Sequence, residues 1–136
     1  MVEEKLEEMF RLESNATKDQ TIDYWKRHLA MAKFQPWFHG ELSGSEADKL
    51  LSELGQPDDY LIRISPNRPY TFVLCIRRRF LESLHFKIHV KDGYVKIGLR
   101  TFDTLRSLIS HYKKNPFTVS HSQGIILNNP IPKISQ

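Results

Sequence analysis

An arginine within an apolar segment is the most informative feature of this 136-residue sequence. Arg63 lies in the run LIRI at 61–64, and a guanidinium buried there without a partner would lose the hydration that stabilises its charge. The run contains no acidic residue that could pair with it. On its own, such an arginine is more typical of an edge strand, or of a side chain that reaches outward to water.

Polar residues predicted to lie near Arg63 point to a bound anion instead. The two-residue period of a strand puts Ser65 on the same face, and the tight loop 66–69 adds a second arginine and backbone N–H groups. His85 and Lys87 share one face of a later strand. A forked arginine, a hydroxyl and backbone donors together suit phosphate. The partner that Arg63 lacks would then be the ligand.

Helices and hairpin-linked strands are predicted to position these residues. In chain order they are an amphipathic helix opened by Ser43 or Ser45 and ending at 54, strands at 60–65, 70–77, 84–90 and 94–97, a helix at 102–112 and a last short strand at 125–127. The turns between the strands are too short for parallel crossovers. We therefore predict an α+β fold in which a central antiparallel β-sheet carries one α-helix on each face.

A helical extension, residues 1–35, is predicted to precede the main domain at 36–133. Helical spacing of apolar residues indicates helices at 2–13 and 20–34, and Pro36 ends the second. The apolar stripe of the second helix would pack on the main domain or on a neighbour in a parent protein. Its members are Ile22, Trp25, Leu29 and Ala32.

Composition and charge bound the function only loosely. The chain carries 20 basic and 16 acidic residues, and the basic excess lies in residues 36–136, which suits an anionic partner. No run is long and apolar enough for a membrane span, and a single cysteine, Cys75, favours the reducing cytoplasm. Phosphorylated protein, anionic lipid and nucleic acid all remain open as partners at this point.

Catalysis is not predicted. A phosphatase that used Cys75 as its nucleophile would want an arginine six residues on, where this chain has Leu81. His85 and His89 share a strand face but lack an evident third metal ligand, and the sequence has no glycine-rich nucleotide-binding pattern. We expect a binding module without enzymatic activity, metal or cofactor.

Several segments resemble the Src homology 2 (SH2) family in order, spacing and length across about 36–131. They are WFHGELSGSEADKLL, YLIRIS, FVLCI, LHFKI and TFDTLRSLISHY. The tail GIILNNPIPK is similar to the end of this domain in Fes/Fer-type cytoplasmic tyrosine kinases. The resemblance implies a phosphotyrosine-peptide-binding module that acts as an adaptor or targeting domain in tyrosine-kinase signalling.

The resemblance also implies which residues bind the peptide. Arg63 matches the strand arginine that forks onto two phosphate oxygens, and Ser65 matches the hydroxyl beside it. The other residues that it places around the phosphotyrosine are Asn67, Arg68, His85 and Lys87. The residues that it places at the surface for the following peptide residues are Phe86, Ile97, Gly98, Tyr112 and the loop 117–124. By the same resemblance, an aromatic at Phe86 implies a preference for peptides with polar or acidic residues just after the phosphotyrosine and an aliphatic residue three positions after it.

One position departs from the family pattern. Most SH2 domains carry an arginine seven residues after the opening tryptophan, and this chain has Gly44 there. We expect Arg68, Lys87 and the N–H groups of the phosphate loop to compensate for the missing guanidinium.

The alternative function is a basic interaction module with a degenerate phosphate pocket, which would bind anionic surfaces or nucleic acid without phosphotyrosine. The run at 77–79, three arginines, favours it, although a solvated hairpin tip explains the run more simply. We prefer the phosphotyrosine-binding function and expect tyrosine-phosphorylated proteins, rather than nucleic acid, as partners. We also expect a monomeric cytoplasmic chain without a membrane span.

Overall fold

The structure is a computed structural model that describes residues 20–80, 82–117 and 124–133. Within these ranges three helices surround one six-stranded sheet. In chain order the elements are α1 (20–32), β1 (Phe38–Glu41), α2 (Gly44–Leu54), β2 (Tyr60–Ile64), β3 (Thr71–Ile76), β4 (Leu84–Lys91), β5 (Tyr94–Ile97), β6 (Arg100–Phe102) and α3 (Leu105–Lys114). The predicted α+β architecture is confirmed.

The strands pair in sequence order, from β1 at one edge to β6 at the other. Every pair from β2 to β6 is antiparallel, as predicted, because a hairpin joins each strand to the next. The Asp92-Gly93 turn has positive φ at both residues, which is the geometry that a two-residue hairpin requires. The first pair differs, because β1 runs parallel to β2. The sheet is therefore mixed, because it gains at this edge a parallel strand that the sequence analysis did not predict.

Three other predictions need correction or lie outside the description. The second helix of the main domain starts at Leu105 rather than Phe102, since Phe102 ends β6 and Thr104 caps the helix by accepting a hydrogen bond from the Ser107 N–H. Residues 125–127 do not form a strand. Instead, the tail is held by single backbone bonds such as that from the N–H of Leu127 to the carbonyl of Tyr112. The predicted helix at 2–13 lies outside the described residues.

A separate hydrophobic core lies on each face of the sheet. The larger core joins the sheet to α3 and includes Phe72, Ile88 and Leu108. The smaller one joins it to α2 and consists of Ala47, Leu51, Leu61, Val73, Cys75 and Ile131, with Leu50 packed against it. Because both faces of the sheet are covered, β3 is buried along its whole length. This agrees with its sequence, in which apolar side chains point to both faces of the sheet.

Helix α1 packs on the same face as α3. Trp25 and Ala32 belong to the larger core, and Leu29 packs against it. The indole of Trp25 lies 4.2 Å from the ring of Phe72, measured between centroids. The apolar stripe predicted for this helix therefore covers the sheet of its own chain. In the part of the chain described here, no helix is both long enough and apolar enough to cross a bilayer.

Candidate functional site

Strand periodicity places Arg63 beneath α2. Successive side chains of β2 point to opposite faces, so Ile62 enters the larger core while Leu61 and Arg63 face α2. The side chain of Arg63 is buried, with 8% of the residue exposed. Because β2 lies between β1 and β3 in the sheet, Arg63 is neither on an edge strand nor in open solvent. The two simpler interpretations of an arginine in an apolar run are therefore wrong.

The Arg63 guanidinium is held by neutral partners. Its Nη1 donates to the carbonyl of Leu42 at 3.1 Å, its Nε to the sulfur of Cys75 at 3.3 Å, and its Nη2 lies 3.3 Å from Nδ1 of His85. No carboxylate forms an ion pair with Arg63 within the described ranges. Three of the five N–H groups of a guanidinium therefore have protein partners, which fix its position without neutralising it.

His85 connects Arg63 to a carboxylate on α2 that the sequence analysis missed. Its Nε2 lies 2.7 Å from Oδ1 of Asp48, while its Nδ1 faces Arg63. This arrangement fits the tautomer in which Nε2 donates to Asp48 and Nδ1 accepts from Arg63. The available signal was spacing on the helix, because Asp48 lies four residues after Gly44 and so on the same face. Asp48 is 51% exposed, and its charge opposes an incoming anion.

The first turn of α2 brings Gly44 against the arginine. Ser43 begins the helix with a capping box, in which its side chain accepts the Glu46 N–H and the Glu46 side chain accepts the Ser43 N–H. The bond from the Ser43 N–H keeps the pKa of Glu46 below its usual value, because it stabilises the carboxylate. A Cβ placed on Gly44 would lie 3.6 Å from Nη2 of Arg63, which is ordinary van der Waals contact.

The remaining residues assigned to the phosphate lie along one face and in one loop. Lys87 is on the same face of β4 as His85, and it is in register with Arg63 through Val73 of the intervening strand. The loop after β2 contains half-buried Ser65 and the exposed residues Asn67 and Arg68. The structure therefore brings Arg63 and His85 into direct contact and aligns Lys87 with them. It places the other three in the loop that follows the arginine strand.

The loop after β2 turns back on Ser65. The N–H of Asn67 donates to the Ser65 hydroxyl, and the N–H of Arg68 donates to the Ser65 carbonyl, both at 3.4 Å. Bonds of this length are weak, so a phosphate could displace them at small cost.

The residues expected to read the following peptide residues lie on the α3 side. Phe86 points away from His85 because neighbours on a strand alternate, and it packs against the larger core. Ile97 and Tyr112 are inside that core, and Gly98 adopts a positive φ of 58° after β5. The sequence analysis named the loop 117–124, of which residues 118–123 lie outside the described residues, and it gave no separate role to Phe117. The Phe117 ring is buried and stacks on Tyr112 at 3.8 Å and on Phe86 at 5.6 Å.

Burial raises the pKa of the Cys75 thiol to about 12, mainly because the thiolate would lose its hydration, and the nearby Arg63 offsets this only in part. A nucleophilic cysteine needs the opposite shift. In the described residues, moreover, no three His, Cys, Asp or Glu side chains are grouped so as to hold a metal ion. Cys75 acts here as a small core residue whose sulfur accepts a hydrogen bond from Arg63 and lies 3.2 Å from Nδ1 of His85.

We expect Cys75 to resist thiol reagents in the folded protein. Its raised pKa reduces the thiolate fraction by about a thousand-fold at neutral pH, and its side chain is fully buried. Because Cys75 is the single cysteine, the release of chromophore from a disulfide reagent reports on it alone. The reaction should be fast in denaturant and much slower in buffer. Equal rates in the two conditions would contradict this environment for the thiol.

Comparison with known proteins agrees with the geometry. Residues 37–112 match the family model described as SH2 domain. The chain is 39% identical over 95 residues to Tyrosine-protein phosphatase corkscrew of Drosophila melanogaster, which is 69% of this chain and 11% of that protein. It is 35% identical over 106 residues to SH2 domain-containing adapter protein D of Mus musculus, which is 76% of this chain and 30% of that protein. It is 32% identical over 99 residues to Tyrosine-protein kinase Fer of Homo sapiens, which is 73% of this chain and 12% of that protein. The matched region thus spans under a third of each relative, and the likeness is confined to that part.

Proposed function

This chain belongs to the SH2 domain family, and on that premise we propose that it binds phosphotyrosine in partner proteins, with Arg63 at the floor of the pocket. The observation that supports this most directly is a buried guanidinium with only neutral hydrogen-bond partners in the described residues. A buried charge without a counter-charge is unfavourable unless a ligand supplies one. A doubly ionised phosphate monoester would supply it.

The phosphate gives both affinity and selectivity in this proposal. It carries a charge of about −1.5 to −2 and three strong acceptor oxygens. Each hydrogen bond to a charged group contributes roughly 1.5–3 kcal/mol. An unmodified tyrosine would cover the guanidinium without pairing it, so its binding would leave a desolvated charge. His85 has a positioning role, because it bonds Arg63 on one side and Asp48 on the other.

The proposed role of the module is to recruit or target signalling proteins. Each of the three relatives carries an SH2-like segment in a longer chain, and one is described as an adapter protein. Such a segment would bring its chain to sites of tyrosine phosphorylation without catalysing a reaction itself. An adaptor and a larger enzyme that carried such a segment would both use the same peptide site.

Peptide selectivity after the phosphotyrosine would depend on the aromatic stack of Phe86, Phe117 and Tyr112. Because Phe117 stacks against Tyr112, the space on that side of Phe86 is already filled by a ring of the protein itself. We propose that Phe86 provides a flat contact for the residues just after the phosphotyrosine. The third peptide residue after the phosphotyrosine would then contact the edge of this aromatic stack. We therefore expect a weaker preference for an aliphatic residue there than the family resemblance implies.

Titration with matched peptides tests the function. The full chain is titrated with one tyrosine peptide in phosphorylated and unphosphorylated form, and with the same peptide carrying phosphoserine. We expect binding of the phosphotyrosine form alone, because a phosphoserine is too short to reach a buried arginine from the peptide backbone. Equal binding of all three peptides, or binding that follows only the salt concentration, would favour the nonspecific anionic module instead.

Removing Lys87 or Arg68 tests the expected compensation for Gly44. Both side chains are exposed and cationic, and they flank the Arg63 face from β4 and from the loop. We expect Lys87→Ala and Arg68→Ala each to weaken phosphopeptide binding by roughly five- to twenty-fold, since each removes one charge from the phosphate site. Lys26→Ala, which removes an exposed lysine of α1 on the other side of the sheet, is the control and should change affinity little. If both site variants bind as well as the wild type, these residues do not compensate.

A further inference from the structure

The loop after β2 ends in a strained residue. Tyr70 has a φ of 57°, in the left-handed region that residues with a side chain rarely adopt. It lies directly after the loop that contains Ser65, Asn67 and Arg68, and directly before β3. A conformation of this kind persists only where surrounding contacts hold it.

Those contacts come from outside the segment that matches the SH2 model. Trp25 of α1 meets the ring of Tyr70 edge to face, with centroids 6.1 Å apart and planes at 74°. The same indole lies against Phe72, two residues further on. Trp25 therefore contacts the chain on both sides of Thr71, whose hydroxyl in turn donates to the carbonyl of Pro69 at 3.1 Å. The junction between the loop and β3 is fixed by a side chain of α1.

Helix α1 is itself anchored at a second point. Nε2 of His28 lies 3.0 Å from the carbonyl of Gly93, and the ring of Tyr24 packs against the same glycine. This anchor is the β4–β5 turn, which lies at the same end of the sheet as the β2–β3 loop because the strands alternate in direction. The helix thus spans the two turns, and its Trp25 contacts the loop junction.

We propose that Trp25 is a positioning residue for the phosphate-binding loop, so that α1 sets the affinity of the site for phosphotyrosine. The inference rests on the proposed function of that loop. Without the indole, Tyr70 can relax to a negative φ, and the N–H groups of Asn67 and Arg68 lose their fixed direction. The helix never touches the phosphate; it acts through the Trp25–Tyr70 contact.

The full-chain variants Trp25→Ala, Trp25→Phe and Tyr70→Ala test the proposal by titration with one phosphotyrosine peptide. Tyr70→Ala keeps Trp25 in the core and removes an exposed ring, so it remains folded even if Trp25→Ala does not. We expect Tyr70→Ala and Trp25→Ala each to weaken binding by roughly three- to ten-fold, the size of an aromatic pair contribution. Trp25→Phe should recover part of the loss, and the double alanine variant should bind no worse than Trp25→Ala alone.

Tyr24→Ala is the matched control, because it removes a ring of α1 that packs on Gly93 and does not reach Tyr70. It should lower thermal stability, and it should weaken peptide binding by much less than Tyr70→Ala does, because Trp25 and His28 still hold α1 in place. Unchanged affinity in folded Tyr70→Ala, or an equal loss in Tyr24→Ala, would overturn the positioning role while the wild type still binds phosphotyrosine. Absence of binding by the wild type would instead overturn the proposed function, and this inference with it.

Discussion

Arg63→Lys should remove most of the phosphopeptide affinity although it retains the positive charge. A lysine ammonium carries its three N–H donors on one nitrogen. It therefore cannot bond two phosphate oxygens in a planar fork and at the same time hold the Leu42 carbonyl and the Cys75 sulfur. Loss of one charge-assisted bond from the phosphate corresponds to roughly ten- to a hundred-fold in the dissociation constant. The ammonium is also smaller than the guanidinium it replaces, so it lies farther from the phosphate, and this weakens binding further. The measurement is a titration with a phosphotyrosine peptide.

The control for this substitution is Arg77→Lys. Arg77 is a half-buried arginine just after β3 that donates to the Gly55 carbonyl, outside the Arg63 cluster. The chemical change is identical, so any general effect of replacing an ordered arginine appears in both variants, and Arg77→Lys should keep its peptide affinity. Undiminished affinity in Arg63→Lys would show that charge alone holds the phosphate and would refute the forked geometry.

The features of the fold that were predictable are those set by local periodicity. The apolar runs of β2 and β3 imply strands covered on both faces, and both strands are buried from end to end except for the last residue of β2. Ser43 with Glu46 three residues later is a capping-box pattern, and α2 begins there. The expectation that Ser65 lies on the same face as Arg63 follows from the two-residue period of a strand, because this alternation does not depend on the rest of the chain.

The features that were missed depend on contacts between distant segments. Strand β1 has only four residues, and their polar and apolar side chains do not alternate. It forms a strand by pairing in parallel with β2, which follows it after the α2 crossover. Residues 125–127 have the composition of a strand, but Leu127 and Ile131 bond to Tyr112 and Tyr60 at single points rather than along a ladder. No local pattern distinguishes these outcomes, because the partner strand decides them.

The site shows the same division. The placement of Arg63, His85 and Lys87 on one face of the sheet was predictable, since it follows from the strand period. The contacts of Asp48 with His85 and of Trp25 with Tyr70 were not predictable, because they join segments that are distant in the sequence. Together these contacts suggest that affinity is tuned from two sides: a carboxylate on α2 opposes the anion, and a helix outside the family match holds the loop that would receive it.

Gly44→Arg should increase phosphopeptide affinity by about ten-fold, because it adds one charge-assisted contact to the phosphate. A Cβ at this position meets Nη2 of Arg63 at 3.6 Å and Cε1 of His85 at 4.0 Å, so a side chain starts at the site without a clash. The stability should change little. Arginine in the first turn of a helix is disfavoured by roughly 0.3–1 kcal/mol, while replacing a helical glycine recovers a similar amount, roughly 0.5–1 kcal/mol.

The gain should be partly masked by Asp48, which lies one turn further along α2 and can pair with the new guanidinium. We therefore expect Gly44→Arg combined with Asp48→Asn to bind more tightly than Gly44→Arg alone, with a steeper dependence on salt. Gly44→Gln is the control of similar shape without charge, and it should bind like the wild type. Equal affinities for Gly44→Gln and Gly44→Arg would mean that the first turn of α2 does not face the phosphate, and that the peptide approaches Arg63 from another side.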